Sequence, residues 1–389
     1  AGHLKLNNLI LIYDNNNISI DGSTDLAFSD NTNLRFKSVN WEVHSGRGHD
    51  HKNIYKLLKK AQVSKVPCLL NFKTTIGFGS PNKSAKASSH GSPLGSEEVK
   101  LTRSKLSWNE KPFQIPDKLL KIWRNSSTNN LQIYKKTKSI SHTNLSNKDI
   151  DNLFNKIETD LKDFKSDQAT RKSSEAILHY FKKDHPILGG SADLTGSNNT
   201  KGKEMSVMDS MNTTGQYIHY GVREHGMAAI MNGIAATKIY KTYSGTFLSF
   251  ADYMKPSLRL AALMKINPIQ VFTHDSIGLG EDGPTHQPIE QINMLRLIPN
   301  SYVFRPCDLK ETIVCWREAL KINDAPSFIC LSRQNLPQIS NKKLDSKKFK
   351  GAYVIYGPKI NNDITILATG SEVSLAVNIA ERIRGAGII

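Results

Sequence analysis

The run Gln270-Val-Phe-Thr-His274 is followed three residues later by the glycine- and proline-rich stretch Gly278-Leu-Gly-Glu-Asp-Gly-Pro-Thr-His-Gln-Pro288. A short apolar run that ends in polar or glycine residues is typical of a buried strand in a parallel sheet. The same pattern recurs at Ile187-Leu-Gly-Gly190 and at Phe328-Ile-Cys-Leu-Ser-Arg333. Runs with helical spacing separate these segments, which predicts a parallel α/β fold. Because ligands bind beyond the carboxyl ends of the strands in such sheets, residues 270–288 are predicted to form part of a site.

The composition is that of a globular protein. With 389 residues, of which 38% are hydrophobic and 22% charged, the chain is long enough for about two or three domains of ~100 to 200 residues. It contains no run of about 20 apolar residues, as a membrane span needs, and residues 1–6 lack the layout of a signal peptide. These features predict a cytoplasmic protein with no membrane partner. The cysteines show neither CxxC spacing nor a zinc-ligand pattern, so we expect buried or idle thiols at Cys68, Cys307, Cys315 and Cys330.

The formal net charge of +17 raises the question of an anionic partner. Basic residues are scattered along the chain, and the local runs at 135–138 and 342–350 lie in Asn- and Ser-rich or linker-like sequence. Neither run belongs to a helix-turn-helix or an aromatic-interleaved motif. We therefore expect a solvated basic surface and no nucleic-acid partner. Such a surface also raises the local concentration of anionic metabolites, which affects association rates and not specificity.

The distribution of the predicted elements divides the chain into three blocks. The first two are each long enough for an α/β domain, although the region from Pro112 to about Ser146 is rich in Lys, Asn and Ser and weakly periodic. That region is predicted to be a connector with short helices. The third block contains one strand, a turn and one helix and then stops short of a domain. The predicted boundaries are 1–146, 147–345 and 346–389.

Individual elements within the blocks follow from periodicity and capping signals. Further buried strands are predicted at Leu9–Tyr13, Pro67–Phe72 and Ile364–Ala368. Helices are predicted at Ile54–Ala61, Asp149–Phe164 and Ala169–Phe181, and from the turn at Thr369–Glu372 to about Arg384. Asn147 is predicted to cap the helix that starts at Asp149.

Two local patterns carry little weight on their own. Glu224 starts the helical run Glu224–Ile234, where a glutamate is favourable simply because of the helix dipole. Phe247, Phe250 and Tyr253 recur every third residue, and such an aromatic stripe is more often ordinary core than a ligand pocket.

Together with residues 278–288, the segment Tyr220-Gly-Val-Arg-Glu-His225 resembles the pyrimidine-binding half of the transketolase family. Further matching segments run at intervals along the whole chain, among them Thr74-Thr-Ile-Gly-Phe-Gly-Ser-Pro-Asn-Lys83. Transketolases are thiamine diphosphate enzymes that move a two-carbon ketol unit between sugar phosphates. The resemblance implies a parallel-sheet thiamine diphosphate-binding fold, with two α/β domains, of which the first is incomplete, and the start of a third.

The resemblance implies a pyrimidine-binding role for several residues of the second block. Glu224 matches the glutamate that contacts the aminopyrimidine ring of the cofactor, and a carboxyl group in that role must be shielded from water to form a strong, directed bond. Burial is therefore predicted for Glu224. Phe250 is predicted to stack on the ring, with Phe247 and Tyr253 as the pocket wall. Asp193 matches an aspartate near the cofactor and at the contact with a partner subunit.

The first block is implied to hold the diphosphate and its divalent metal. Asn16 and the backbone carbonyl of Ile18 match the metal ligands of the family, two hard oxygen donors suited to Mg²⁺ or Ca²⁺. Read alone, the local sequence Asp-Asn-Asn-Asn is usually just a turn. The family's Gly-Asp-Gly element, which supplies a carboxylate ligand, lies upstream of this loop and is absent here. An internal fragment that lacks the N-terminal part and most of the C-terminal domain is therefore expected, with poor cofactor binding and no activity on its own.

Residues around the reacting end of the substrate are implied by the same matches. His90 resembles the family histidine beside the thiazolium ring and the donor, and His286 matches a residue that relays protons on substrate oxygens. Asp282 matches the carboxylate that binds a substrate hydroxyl. His219 departs from the family, because many relatives carry an arginine there, and a neutral, packed histidine is expected. The matches to the family's phosphate-binding residues are Arg171, Ser197, His274 and Arg333.

The implied reaction transfers a two-carbon ketol group from a ketose phosphate such as xylulose 5-phosphate to ribose 5-phosphate or erythrose 4-phosphate. This is a transferase step of the pentose phosphate pathway. In this family the active site lies between two subunits, so a homodimer is expected. Dihydroxyacetone synthase and deoxyxylulose phosphate synthase share the architecture and remain alternatives. A catalytically silent relative that regulates or binds another protein is a third.

Overall fold

A computed structural model describes residues 1–138, 145–280, 282–339, 344, 351–357, 363–383 and 386–388. The backbone forms two compact units: one contains Ala1–Lys135 with Asp209–Met211, and the other contains Lys136–Met208 with Asn212–Ile389. Each unit is built on a parallel sheet with helices, which confirms the α/β prediction. The predicted boundary at 345/346 and most of the basic run at 342–350 lie outside the described residues.

The first unit contains a three-stranded parallel sheet in the order β1-β5-β4. Its strands are β1 (Ile10–Asn15), β2 (Ile18–Ser19), β3 (Gly22–Ser23), β4 (Glu42–Arg47) and β5 (Cys68–Lys73), of which β2 and β3 form a separate antiparallel pair. Its helices are α1 (Thr32–Ser38), α2 (His51–Ala61), α3 (Ser96–Lys105) and α4 (Asp117–Lys138), with short 3₁₀ turns at Thr24–Leu26 and Ala87–Ser89. The predicted strands at 9–13 and 67–72 and the helix at 54–61 are confirmed.

The region predicted as a connector with short helices is largely a single helix. Helix α4 runs for 22 residues from Asp117 to Lys138, so the prediction of short helices was wrong. Gln, Leu and Lys are good helix formers and no proline interrupts the segment, which lets the helix continue although its apolar spacing is weak. Leu119, Ile122 and Trp123 on this helix are exposed.

The second unit is built on a six-stranded sheet in the order β10-β11-β9-β8-β6-β7, in which every neighbouring pair is parallel. Its strands are β6 (Ile187–Ser191), β7 (Tyr217–His219), β8 (Lys241–Phe247), β9 (Pro268–Thr273), β10 (Tyr302–Phe304) and β11 (Ser327–Leu331), and β12 (Ile364–Ile366) pairs with β13 (Ala386–Ile388) in a separate sheet. The helices are α5 (Asn147–Asp160), α6 (Thr170–Leu178), α7 (Thr195–Asn198), α8 (Glu224–Ala236), α9 (Ala251–Met264), α10 (Gln291–Arg296), α11 (Leu309–Lys321) and α12 (Glu372–Arg382). Short 3₁₀ turns lie at Leu248–Phe250, Ile277–Leu279 and Pro284–His286.

Both faces of the six-stranded sheet are covered by helices. On one face α5, α6 and α11 enclose a core that includes Phe154, Phe181 and Trp316. On the other face α8, α9 and α10 enclose a second core around Met227 and Phe272. Strands that are buried on both faces explain why their sequences are continuous apolar runs and do not alternate.

The start of α5 differs from the prediction by a few residues. Ser146 caps this helix, because its hydroxyl accepts a hydrogen bond from the Asp149 backbone while the Asp149 carboxylate accepts one from the Ser146 backbone. This reciprocal capping box satisfies two helix-end donors at once, which Asn147 cannot do from inside the helix. The prediction of Asn147 as the cap was therefore wrong. All four cysteines are buried and free, as predicted.

Candidate active site

The candidate site lies at the carboxyl edge of the six-stranded sheet. Because β6, β8, β9 and β11 are parallel, their last residues meet at this edge. Asp193 follows β6 by two residues, His274 directly follows β9, and Arg333 follows β11 by two residues. The Asp193 and His274 backbones both have positive φ angles, 62° and 59°. Such conformations are uncommon for residues with a side chain, and they occur at active sites as well as in ordinary turns.

Two arginines give this edge a positive field. Arg171, on the first turn of α6, donates from Nη1 to the Ser197 carbonyl at 2.5 Å. Burial, followed by the nearby charge of Arg333, lowers the pKa of Arg171. Its Nε is buried and has no hydrogen-bond partner among the described residues. An anion at this point would satisfy the free donor and relieve the repulsion between the two guanidinium groups.

His274 lies in the same field and is held in one tautomer by its neighbours. The Asn198 amide nitrogen donates to Ser191 Oγ, so the Asn198 amide oxygen is free to accept a hydrogen bond from Thr273 Oγ1 at 2.7 Å. With its proton donated to Asn198, Thr273 Oγ1 accepts from His274 Nδ1 at 2.9 Å. Nε2 of the neutral ring therefore presents a lone pair. Burial, then the charge of Arg171, lowers the pKa of His274 to about 4.

This pKa predicts a specific pH dependence of stability. A histidine with a pKa of 6.5 in the unfolded chain and about 4 in the folded one binds protons more readily when unfolded, so its stabilising effect is present above pH 6.5 and is lost as pH falls towards 4. Between pH 7.5 and 5.0 the expected loss is about 2 kcal/mol in the free energy of unfolding. Urea unfolding of wild type and H274Q at both pH values measures it.

The control for this pH prediction is H219Q, which changes an exposed histidine of the same unit. H274Q is expected to show a smaller loss of stability on acidification than wild type, whereas H219Q follows wild type. Equal pH dependence in all three proteins would contradict the prediction.

Aromatic rings line the edge next to His274. The Phe247 ring lies 3.8 Å from the His274 ring, centroid to centroid, and 5.8 Å from the Phe250 ring in a near-parallel arrangement with an interplanar angle of 19°. The His286 ring stands edge-on to Phe250 at 5.2 Å. Tyr253 lies 6.0 Å from Phe250 but its side chain is 64% exposed. Phe247, Phe250 and His286 thus form one surface on which a planar ring can rest.

Glu224 is the first residue of α8 and its side chain is buried, 9% exposed, as predicted. Among the described residues its carboxylate makes no hydrogen bond or ion pair. Helix α8 follows β7, whose carboxyl end lies at the same sheet edge as the end of β8. The helix packs on α9, where Asn232 Nδ2 donates to the Ser257 carbonyl at 2.8 Å. Both carboxylate oxygens still contact solvent, so a ligand that supplies a donor can reach them.

The described parts of the loop at 276–280 and 282–288 lie at this edge and carry two of the predicted residues. Gly280 and Gly283 have φ angles of 81° and 78°, which a residue with a side chain rarely adopts. These turns leave Asp282 exposed, while His286 is half-buried with Nδ1 at 2.9 Å from Thr285 Oγ1. The charge of Asp282 acts on the pKa of both Arg171 and His274, which places it within electrostatic reach of the two.

His219 differs from its prediction. Its side chain is exposed, not packed, because it is at the end of the edge strand β7 and no described residue of the unit covers it. The ring stands edge-on to Tyr217 at 5.3 Å, and Nδ1 lies 3.5 Å from Thr195 Oγ1. Ser197 and Asp193 are also exposed at the same edge.

The remaining predicted residues belong to the first unit. Asn16 follows β1, and its Oδ1 accepts a hydrogen bond from the Ile18 backbone at 2.9 Å, which closes a turn before β2. His90 is exposed after the 3₁₀ turn Ala87–Ser89, where its backbone N–H donates to the Ala87 carbonyl at 2.8 Å. Within the described residues no three acidic, histidine or cysteine side chains are close enough to hold a metal ion.

Comparison with known proteins identifies the family. The family model of the transketolase thiamine diphosphate binding domain matches residues 1–155, and that of the transketolase pyrimidine binding domain matches residues 166–338. The chain belongs to the transketolase family. It is 42% identical to a curated transketolase from Sinorhizobium medicae over 398 residues, 99% of this chain and 57% of that protein.

Solved transketolases show the same backbone. A crystal structure of a transketolase from Pichia stipitis in complex with sedoheptulose 7-phosphate superposes with a TM-score of 0.87 at 38% identity and covers 100% of this chain and 61% of that one. A transketolase from Campylobacter jejuni gives a TM-score of 0.86 at 40% identity, with 100% and 62% coverage. The chain thus spans about 60% of the length of the transketolases that it matches.

In this transketolase family member, the sequence resemblance pointed to Arg171, His274 and Arg333 at this sheet edge but did not reveal the residues that support His274. Ser191, Asn198 and Thr273 are buried and form the hydrogen-bond network behind His274. Ser191 also donates to the Gly245 carbonyl at 3.1 Å, which connects the ends of β6 and β8. Small polar residues at strand ends are too common for spacing alone to indicate such a network. Only the adjacency of Thr273 to His274 offered a signal.

Proposed function

We propose that this chain is the catalytic part of a transketolase, which transfers a two-carbon ketol group from a ketose phosphate to an aldose phosphate. The cluster of Arg171, Arg333 and His274 beside the Phe247–Phe250 surface carries this proposal. It combines an anion-binding end with a surface for a planar ring at one sheet edge. The Pichia stipitis relative, which was crystallised with a seven-carbon sugar phosphate, supports the same substrate class. Xylulose 5-phosphate as donor and ribose 5-phosphate or erythrose 4-phosphate as acceptors fit this class.

The pyrimidine half of thiamine diphosphate fits the residues of the second unit. The partnerless carboxyl of Glu224 can donate or accept a proton at a ring nitrogen, and Phe250 offers a face on which the ring can stack. When bound, the cofactor supplies the carbon nucleophile and the electron sink of the reaction. Family-model matches to both thiamine diphosphate domains agree with this assignment.

A divalent metal fits the first unit in part. The Asn16 amide oxygen has a second lone pair beyond the one used by the Ile18 N–H, and the Ile18 carbonyl is a second hard donor. Both donors are neutral, and Mg²⁺ or Ca²⁺ normally takes at least one carboxylate as well. We assign Asn16 and Ile18 to the metal and derive no chemical step from it.

The other residues then have distinct roles in substrate binding. Arg171 and Arg333, with Ser197, bind the terminal phosphate, because a guanidinium group presents a planar fork of donors to phosphate oxygens. His274 Nε2 accepts a hydrogen bond while neutral and donates one only when a bound phosphate favours its protonated form.

Proton transfer and hydroxyl recognition complete the site. His286 and His90 exchange protons with substrate oxygens, a task suited to imidazole. The exposed carboxylate of Asp282 accepts a hydrogen bond from a substrate hydroxyl, and Asp193 lies near the cofactor.

A homodimer in the cytoplasm completes the proposal. Ile230 on α8 and Leu260 and Leu263 on α9 are exposed by 49%, 50% and 60%. With Tyr253 they are exposed apolar residues on α8 and α9, and protein interfaces commonly bury such residues. No helix in the described ranges is long and apolar enough to cross a membrane.

Donor profiling of the complete protein tests the proposed reaction. A transketolase is expected to use xylulose 5-phosphate with an aldose phosphate acceptor. Preference for formaldehyde as acceptor would instead indicate a dihydroxyacetone synthase, and use of pyruvate would indicate a deoxyxylulose phosphate synthase. No turnover with any of these substrates in the presence of thiamine diphosphate and Mg²⁺ would support the catalytically silent alternative.

Arg171 gives a sharper prediction about the phosphate. For R171M the KM for a ketose phosphate is expected to rise about tenfold to a hundredfold with little change in kcat, because one charge-assisted contact is lost. The same ketose without its phosphate should react equally well with wild type and variant. The matched control is K172M, which removes the neighbouring exposed charge on the same helix. Equal KM changes in both variants, or a loss that is independent of the phosphate, would contradict the assignment.

A further inference from the structure

Glu98 is a buried carboxylate that the proposed reaction does not use. It lies in the first turn of α3 and its side chain is 8% exposed. Oε1 accepts hydrogen bonds from Ser80 Oγ and, at 2.8 Å, from the Asn82 backbone, and Oε2 accepts one from Asn82 Nδ2 at 2.9 Å. These bonds lower the pKa of Glu98 to about 2, with the bond from Ser80 as the largest cause. The group is therefore ionised at every working pH.

The hydrogen bonds continue from Glu98 towards His90. Ser80 Oγ also accepts from the Lys83 backbone N–H at 3.1 Å. The Lys83 carbonyl accepts from Ser89 Oγ at 2.5 Å, and Lys83 Nζ donates to the Leu94 carbonyl at 2.8 Å. Ser89 directly precedes His90. The carboxylate thus holds residues 80 and 82 directly, and the hydrogen bonds of Ser80 and Lys83 connect that end of the loop to Ser89.

The arrangement differs from an ordinary helix cap. A glutamate at the third position of a helix normally bonds back to the N-cap backbone. Here the N-cap residue is Gly95, which makes no side-chain cap, and the Glu98 oxygens are instead occupied by residues 80 and 82. Three donors converge on this single carboxylate although the helix end itself receives nothing from it. The bonds therefore serve the loop and not the helix.

We infer that Glu98 is a positioning residue, which holds the loop at 80–90 so that His90 meets the reacting end of the substrate. This inference rests on the proposed function, because it needs His90 to act in the reaction. Glu98 itself contacts neither cofactor nor substrate in this proposal. Its effect passes through Ser80, Asn82 and Lys83.

A reciprocal swap of the Glu98–Asn82 pair tests the inference in the complete protein. E98Q places an amide NH₂ group against the Asn82 NH₂ group, so one acceptor is lost, and N82D alone places two carboxylates face to face. The double variant N82D/E98Q restores a donor opposite an acceptor. The matched control is E97Q, which changes the exposed neighbouring glutamate that pairs with Lys100.

Hydrogen exchange and kinetics are the two measurements. In E98Q and in N82D the backbone amides of residues 80–90 are expected to exchange about tenfold faster, and kcat is expected to fall several-fold. The KM for the phosphorylated donor should not change, because the phosphate is assigned to the second unit. The double variant should recover both the slow exchange and the kcat, whereas E97Q should match wild type throughout.

Two results of the swap would overturn the inference. If the amide exchange rates and the kcat of E98Q equal those of E97Q, the hydrogen bonds of Glu98 do not affect the loop. A double variant no better than the single ones would show a general loss of stability instead of a broken pair. Failure of the proposed function would give other results: H90N would keep its kcat, or wild type would transfer no two-carbon unit. In either case Glu98 could not position a catalytic His90, even if the double variant restored the exchange rates.

Discussion

Replacement of Glu224 by alanine is expected to reduce turnover by ~10² or more, as losses of general acid–base groups do. Glu224 is 9% exposed at the first position of α8, and its carboxylate makes no hydrogen bond or ion pair among the described residues. A ring nitrogen of the proposed cofactor would be its partner, so the variant loses the group that exchanges the proton. Steady-state kinetics of the complete protein at saturating thiamine diphosphate measures the effect.

Two further variants distinguish the loss of the proton-exchanging group from misfolding of the protein. E224Q keeps the size of the side chain and the helix start but cannot exchange a proton, so its turnover should also fall sharply while its circular dichroism matches wild type. E97A removes an exposed glutamate from the first turn of another helix and should keep full turnover. An unchanged rate in E224A and E224Q would remove Glu224 from the reaction.

Replacement of Arg305 by leucine is expected to reduce the free energy of unfolding by about 3–5 kcal/mol, the usual cost of leaving a buried charge without its partner. Arg305 Nε donates to Asp275 Oδ2 at 2.8 Å, and the side chains are 10% and 1% exposed. Burial raises the pKa of Asp275 although Arg305 acts against it. The same guanidinium donates to the Thr369 carbonyl at 3.1 Å and to Ser371 Oγ at 3.2 Å, and it pairs with Glu372. Urea unfolding measures the loss.

A double variant separates the buried charge from the lost packing. D275L/R305L removes both charges and is expected to be more stable than R305L alone, because no buried carboxylate is left unpaired. As a control, K321M breaks the partly exposed pair of Lys321 Nζ with Asp151 Oδ1 at 2.5 Å and should cost less than about 1 kcal/mol. An R305L protein as stable as K321M would contradict the prediction.

The architecture could be predicted from the sequence because buried parallel strands leave a direct pattern. The runs that became β6, β9 and β11 are continuous and apolar because helices cover both faces of the sheet. The start of α8 at Glu224 was likewise predicted at the correct residue. Predictions failed where local signals were weak or ambiguous. Helix α4 has little apolar periodicity, and both Ser146 and Asn147 are residue types that cap helices well.

The candidate site was predictable only as far as the family resemblance reached. It selected Arg171, His274 and Arg333, which the sheet topology brings to one edge although more than 160 residues of sequence separate the two arginines. It did not reveal Asn198 or Glu98, because their hydrogen-bond partners are close only in the folded protein and no fixed spacing in the sequence indicates them. The expectation of a packed His219, at a position where the chain departs from the family, was also wrong, because the edge strand β7 leaves that side chain exposed.

The sequence by itself determined the α/β class, the order of most strands and helices, and the family. These follow from the periodicity of apolar residues and from motifs read within short segments. Only the tertiary structure decided which polar groups are buried, which are paired, and which lack a partner. Those properties depend on distances between residues far apart in the chain. They set the lowered pKa of His274, leave the Glu224 carboxylate without a hydrogen bond among the described residues, and bring Ser80 and Asn82 to Glu98.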